Sequence, residues 1–167
     1  MLSFLSDYTE GAHPEVLQHL MERNLVTLPG YGFDEDTDEA KRKIGLACGR
    51  DDLQIWFLTG GTQTNALIID SLIRPYEGVI SADTGHINVH EAGAVEHTGH
   101  KVLALPSADG KITAQQIDAA AQQHKDTAEH EHMVKPKMVY ISNPTELGTI
   151  YTLSELEAIH AVCQKHG

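Results

Sequence analysis

Basic residues are scarce in this 167-residue chain: 12 Lys and Arg stand against 24 Asp and Glu, a formal charge of −12 with His neutral. A protein that neutralises the phosphates of DNA or RNA needs Lys and Arg clustered on one face, so nucleic-acid binding is not expected. Long apolar runs are also missing. The longest, such as Ile55-Trp56-Phe57-Leu58 and Ala66-Leu67-Ile68-Ile69, fall far short of the ~20 residues that cross a bilayer, so no membrane partner is expected. The first seven residues lack a basic start and an apolar stretch, and so do not read as a signal peptide. Two cysteines far apart, Cys48 and Cys163, give neither a disulfide framework nor a zinc ribbon, and a reducing cytoplasmic setting is the default. Aromatics are 5% of the chain, yet hydrophobic residues are 41%, enough for a core at this length and against wholesale disorder.

The apolar residues are periodic. A helix is predicted from Pro14 to about Arg23, with Val16, Leu17, Leu20 and Met21 on one face. The acidic run from Asp34 to Glu39 opens a second helix that should end near Gly49, its charges forming a solvated face. From residue 54 onward strand-like and helix-like runs alternate, with strands expected at 55–58, 79–82, 101–105 and 138–142. Helices are expected at 63–72, 86–95, 114–123 (capped by Thr113) and after Ser154, whose partner three residues on is Glu157. The segment 124–137 reads as polar and mobile. This alternation predicts an α/β fold with a mainly parallel sheet flanked by helices. It follows an N-terminal arm and helices over 1–50, with a partial cofactor-binding domain over 51–167. A parallel sheet normally leads from helix back to strand, and no strand follows the last helix, so the domain reads as incomplete.

Two local features carry chemistry. Leu58-Thr59-Gly60-Gly61-Thr62-Gln63-Thr64-Asn65 joins a predicted strand to a helix. Its glycines permit close backbone approach, the first helical N–H groups lack partners, and threonine hydroxyls add donors, a setting for one phosphate group. A plain Gly-rich turn with Thr62 as N-cap is the other reading. It is neither a Walker loop nor GxGxxG. The second feature is Asp83-Thr84-Gly85-His86-Ile87-Asn88-Val89-His90-Glu91-Ala92-Gly93. Ligands sit beyond the carboxyl ends of parallel strands, so His86 should face the same crevice as Gly61 and Thr62, as a cap, a stacking partner or a proton carrier. His90-Glu91 begins like HExxH, but position 94 is Ala94, so the zinc motif fails; the string Glu129-His130-Glu131-His132 reads as a solvated loop, and no metal is expected.

With these motifs, and with Ser6-Asp7, Gly11-Ala12-His13-Pro14-Glu15, Tyr31-Gly32, and Asn143-Pro144-Thr145-Glu146-Leu147-Gly148-Thr149, the chain resembles the N-terminal half of a threonine aldolase in the β-eliminating lyase family of pyridoxal-phosphate enzymes. The resemblance implies an incomplete pyridoxal-phosphate-dependent transferase-like large domain. It implies the cofactor pyridoxal 5′-phosphate, cleavage of β-hydroxy-α-amino acids such as threonine to glycine and an aldehyde, and assembly as a homo-oligomer, a dimer or tetramer. By the same resemblance Gly61 and Thr62 match the phosphate turn, and His86 matches the histidine that stacks on the pyridine ring and helps bind or deprotonate the substrate hydroxyl. Ser6 matches the serine that contacts the substrate carboxylate, Tyr31 lies in the Tyr-Gly loop near the site, and Asn143, Thr145 and Glu91 are further candidates. The family's Schiff-base lysine and pyridine-pairing aspartate sit on later strands. The eight lysines here, at 41, 43, 101, 111, 125, 135, 137 and 165, occupy helices, strand starts, a turn and polar segments unsuited to that role. The expectation is therefore the front part of such a lyase, inactive alone, or else a non-catalytic module that binds a phosphorylated metabolite or a partner.

Overall fold

The computed structural model describes residues 8–167. The chain forms two compact units, Met1–Phe57 and Leu58–Gly167. Ser6 lies outside the described residues.

In the first unit, α1 (Pro14–Arg23) begins on proline, whose fixed φ suits the first turn, and its predicted bounds hold. The face carrying Val16, Leu17, Leu20 and Met21 is at least half exposed at every position. α2 (Glu35–Ala47) is capped by Asp34, whose carboxylate accepts from the Thr37 amide at 2.8 Å and the Thr37 hydroxyl at 2.7 Å. Those two bonds, the hydroxyl's first, hold the Asp34 carboxyl below its ordinary range. Residues 55–58, expected as a strand, join no ladder, and Trp56, Phe57 and Leu58 are exposed. Apolar content makes a segment fit for a sheet, but a strand exists only where a neighbour bonds it, and the described residues provide none.

The second unit is the expected α/β layer structure. α3 (Gly61–Leu72) leads to β1 (Glu77–Ala82), α4 (His86–Val89), α5 (Ala94–His97), β2 (Lys101–Leu105), α6 (Ala114–Asp126), a 3₁₀ turn at His130–His132, β3 (Lys135–Val139) and α7 (Leu153–His166). The three strands are parallel in the order β2-β1-β3. Every residue of the central β1 is buried, as both faces of a covered parallel sheet require. Alternation along the strands divides the core. Val79, Val102, Met138 and Tyr140 pack with Ile69, Ile87 and Val95 on the face of α3, α4 and α5. Ile80, Leu103 and Val139 pack with Ile117, Tyr151 and Ile159 on the face of α6 and α7.

Three further expectations are corrected. Residues 86–95 are two short helices: α4 ends at Val89, with the His90 cap at φ −121°, and the left-handed φ values of 50° and 75° at Ala92 and Gly93 delay the next helix to Ala94. β3 starts at Lys135 instead of 138, since its start is set by pairing with β1 (Glu77 opposite Lys135) through an irregularity at Gly78/Val79. α7 is capped by Thr152, with Glu155 completing the capping box; Ser154 lies in its first turn.

Candidate functional site

α3 begins directly after Gly60, which has an extended backbone and gives no side-chain cap. Thr64 N–H bonds back to Gly60 O at 3.0 Å, while the amides of Gly61, Thr62 and Gln63 have no acceptor among the described residues. A Cβ built at Gly60 or Gly61 would meet nothing within 4 Å, so the approach to these donors is open. Three convergent N–H groups, a positive helix end and the Thr62 hydroxyl suit a phosphate dianion. Thr62 is not the N-cap. The Thr64 hydroxyl, counted among the anion donors from sequence, is spent on Gly60 O at 2.8 Å.

One turn into α3, a rise of about 6 Å from Gly61, Asn65 Nδ2 donates to Glu91 Oε1 at 2.7 Å. The Glu91 side chain is fully buried, and its Oε1 lies 3.8 Å from His86 Nε2, an electrostatic neighbour beyond hydrogen-bond range. Glu91 Oε2 has no partner among the described residues. A buried carboxylate oxygen left so is costly, and it marks the point in the site where a donor is lacking. Through Asn65 and Glu91 the open start of α3 and the imidazole therefore belong to one locale.

His86 opens α4 just past the carboxyl end of β1, where Gly85 brings the backbone close to β1: a Cβ at Gly85 would lie 2.1 Å from Ser81 Oγ and 3.0 Å from Ala82 O. The His86 ring is partly exposed and its Nδ1 is 3.0 Å from Glu146 Oε1. Glu146 Oε2 is 3.6 Å from His90 Nε2, and the two imidazoles lie 5.4 Å apart, tilted by 50°. Asp83, after β1, accepts from the amide and hydroxyl of Ser107, after β2; the hydroxyl bond chiefly holds the Asp83 carboxyl below its ordinary range. Thus loops from all three strands meet at the carboxyl end of the sheet, where the topology puts ligand sites. Among the described residues no group of three or more ligating side chains is placed to hold a metal ion, so the His86–His90–Glu146–Glu91 cluster is a hydrogen-bonding and electrostatic network.

The remaining candidates sort by what their side chains do. Asn143 Oδ1 accepts from the Tyr151 amide at 3.1 Å, and buried Thr145 pairs with Thr149 at 2.7 Å, so both close their own loop. Tyr31 lies in the first unit, fully exposed, at a φ of 63° that a bulky side chain rarely adopts. Glu146 is the residue that motif reading passed over. It follows β3 as His86 follows β1, and the crevice rule applied to every strand would have flagged it.

The described residues fit the phosphate and ring-stacking parts of pyridoxal 5′-phosphate: open donors at α3, and an accessible imidazole linked to them. They do not supply its lysine. Lys101, Lys135 and Lys137 stand at or near the amino-terminal starts of strands, the opposite end of a parallel sheet from His86. Lys111 is bound to Glu155 at 2.7 Å, which raises its pKa and favours the ammonium, the reverse of an activated amine.

The family model for beta-eliminating lyases matches residues 3–167. Low specificity L-threonine aldolases of a Pseudomonas species and of Pseudomonas aeruginosa are 34% and 32% identical, each over 98% of this chain and 46% of the relative. The structure of a Leishmania major threonine aldolase superposes with a TM-score of 0.90 at 46% identity, over 97% of this chain and 46% of that one. The chain thus spans about half the length of the proteins it matches.

Proposed function

This chain belongs to the beta-eliminating lyase family, and from that premise we propose that it forms the front part of a pyridoxal-phosphate-dependent aldolase acting on β-hydroxy-α-amino acids such as threonine. The observation that carries the reading is the uncapped start of α3 joined through Asn65 and Glu91 to His86. The amides of Gly61 and Thr62 and the Thr62 hydroxyl hold the phosphate. His86 would stack on the pyridine ring and accept the proton of the substrate hydroxyl, a role suited to an imidazole. Pyridoxal 5′-phosphate, when bound, supplies the electron sink for the carbon that keeps the electron pair as the Cα–Cβ bond breaks. Ser6 and Tyr31 bind substrate, and the exposed, left-handed Tyr31 supports that role. The imine-forming lysine belongs to the part of the relatives' length that this chain does not span, so the chain alone releases no aldehyde from threonine.

Assembly as a homo-oligomer, a dimer or tetramer, is supported by the exposed apolar residues of α1 and by Leu67, Ile68 and Leu72 of α3. A cytoplasmic setting is supported by unbridged Cys48 and Cys163, and no described helix is long and apolar enough to cross a membrane.

Calorimetry with pyridoxamine 5′-phosphate, which has no aldehyde to condense with surface lysines, tests the reading. Saturable binding is expected, with none for pyridoxamine. Absence of binding overturns it, and equal affinity for inorganic phosphate favours the phosphate-binding module instead.

A further inference from the structure

We propose that Glu146 is a positioning residue that fixes the tautomer and ring orientation of His86, so that Nε2 is the nitrogen presented to a substrate hydroxyl. The inference rests on the reading of His86 as the proton acceptor and assigns the atom that does it.

A carboxylate can only accept hydrogen bonds, so the 3.0 Å contact between Glu146 Oε1 and His86 Nδ1 requires the proton on Nδ1. A neutral imidazole with Nδ1–H has its lone pair on Nε2. That nitrogen makes no hydrogen bond among the described residues; its near neighbour, Glu91 Oε1, is at 3.8 Å and already takes the Asn65 amide. The arrangement is therefore polarised. The side facing Glu146 is saturated, and the side toward Glu91 and the α3 turn is open.

Glu146 is itself held. Its side chain is a quarter exposed, Ser142 Oγ donates to Oε1 at 3.4 Å, and His90 Nε2 stands 3.6 Å from Oε2. When Nε2 takes the hydroxyl proton, the ring becomes an imidazolium whose Nδ1–H still faces the Glu146 carboxylate. The charge created by the transfer is thus met by the carboxylate already in place. His90, beyond hydrogen-bond distance, is not needed for the tautomer.

The test is the protonation pattern of the imidazole nitrogens in the chain labelled with ¹⁵N-histidine. It is read by long-range proton–nitrogen correlation above about pH 8, where an ordinary imidazole is neutral, with His86→Asn identifying the signals. The native chain is expected to show His86 with Nδ1 protonated and Nε2 bare. His90→Ala should leave that pattern intact, and so should Glu146→Gln, whose amide oxygen can still accept. Glu146→Ala should shift His86 toward the Nε2–H form. A native His86 protonated on Nε2 overturns the proposal, as does a pattern unchanged in folded Glu146→Ala; should that variant fail to fold, the native pattern alone decides. No cofactor enters the measurement. A native Nδ1–H pattern in a chain that fails to bind pyridoxamine 5′-phosphate would remove the aldolase reading and leave the Glu146–His86 pair standing, and the reverse outcome would remove only the pair.

Discussion

Gly110 shows how one residue holds the crevice together. Its φ of 87° is left-handed, and a Cβ there would lie 2.7 Å from Thr145 Oγ1 in the loop after β3. Gly110→Ala should therefore lower stability by about 2–4 kcal/mol, combining the left-handed penalty with overpacking against a buried threonine. Urea unfolding checks it, and a loss below 0.5 kcal/mol, the usual range of a neutral surface change, would show that the loops yield. Local sequence marks Gly110 only as a turn residue and does not mark Glu146, because each matters through a partner far along the chain: Thr145 for Gly110, His86 for Glu146. The open start of α3 at Gly61 and the position of His86 just past β1, by contrast, are legible, since a Gly-rich turn and a histidine after a strand are written in adjacent residues.

Among elements the same division holds. α1, α2, β2 and α6 follow local signals: a proline start, an acidic first turn, an apolar run, the Thr113 cap. Residues 55–58 fail as a strand because a ladder is a property of two segments. The expected start of α7, at Ser154 with Glu157, is misplaced; an overlapping capping box two residues earlier, Thr152 with Glu155, is the one the structure uses. That choice has a pH consequence. The Glu155 carboxylate receives Lys111 and the Thr152 amide and hydroxyl, which bring its pKa from 4.5 down to about 2, Lys111 contributing most. Between those values the unfolded chain takes up a proton that the folded chain refuses, so the stabilisation is complete above about 4.5 and is lost as pH falls toward 2. The melting temperature should fall through this window, and less steeply in Glu155→Gln, whose amide cannot titrate. Equal slopes would show that Glu155 does not contribute to the acid limb.

At the scale of the molecule, the α/β class and the parallel sheet were readable from alternation alone, and the family from several motifs in order along the chain. The sheet has three strands, and the chain covers about half of each relative; the described residues bring open amides at the start of α3 and the His86 imidazole to one locale, without an activated lysine. What joins those two parts is the Asn65–Glu91–His86 path, and it predicts that one ligand touches both. The direct measurement is the amide and imidazole resonance map of the chain titrated with pyridoxamine 5′-phosphate. The amides of Gly61, Thr62 and Gln63 and the ring of His86 should shift together with one saturation curve. Shifts confined to one of the two, or found only elsewhere on the chain, would contradict a shared cofactor site.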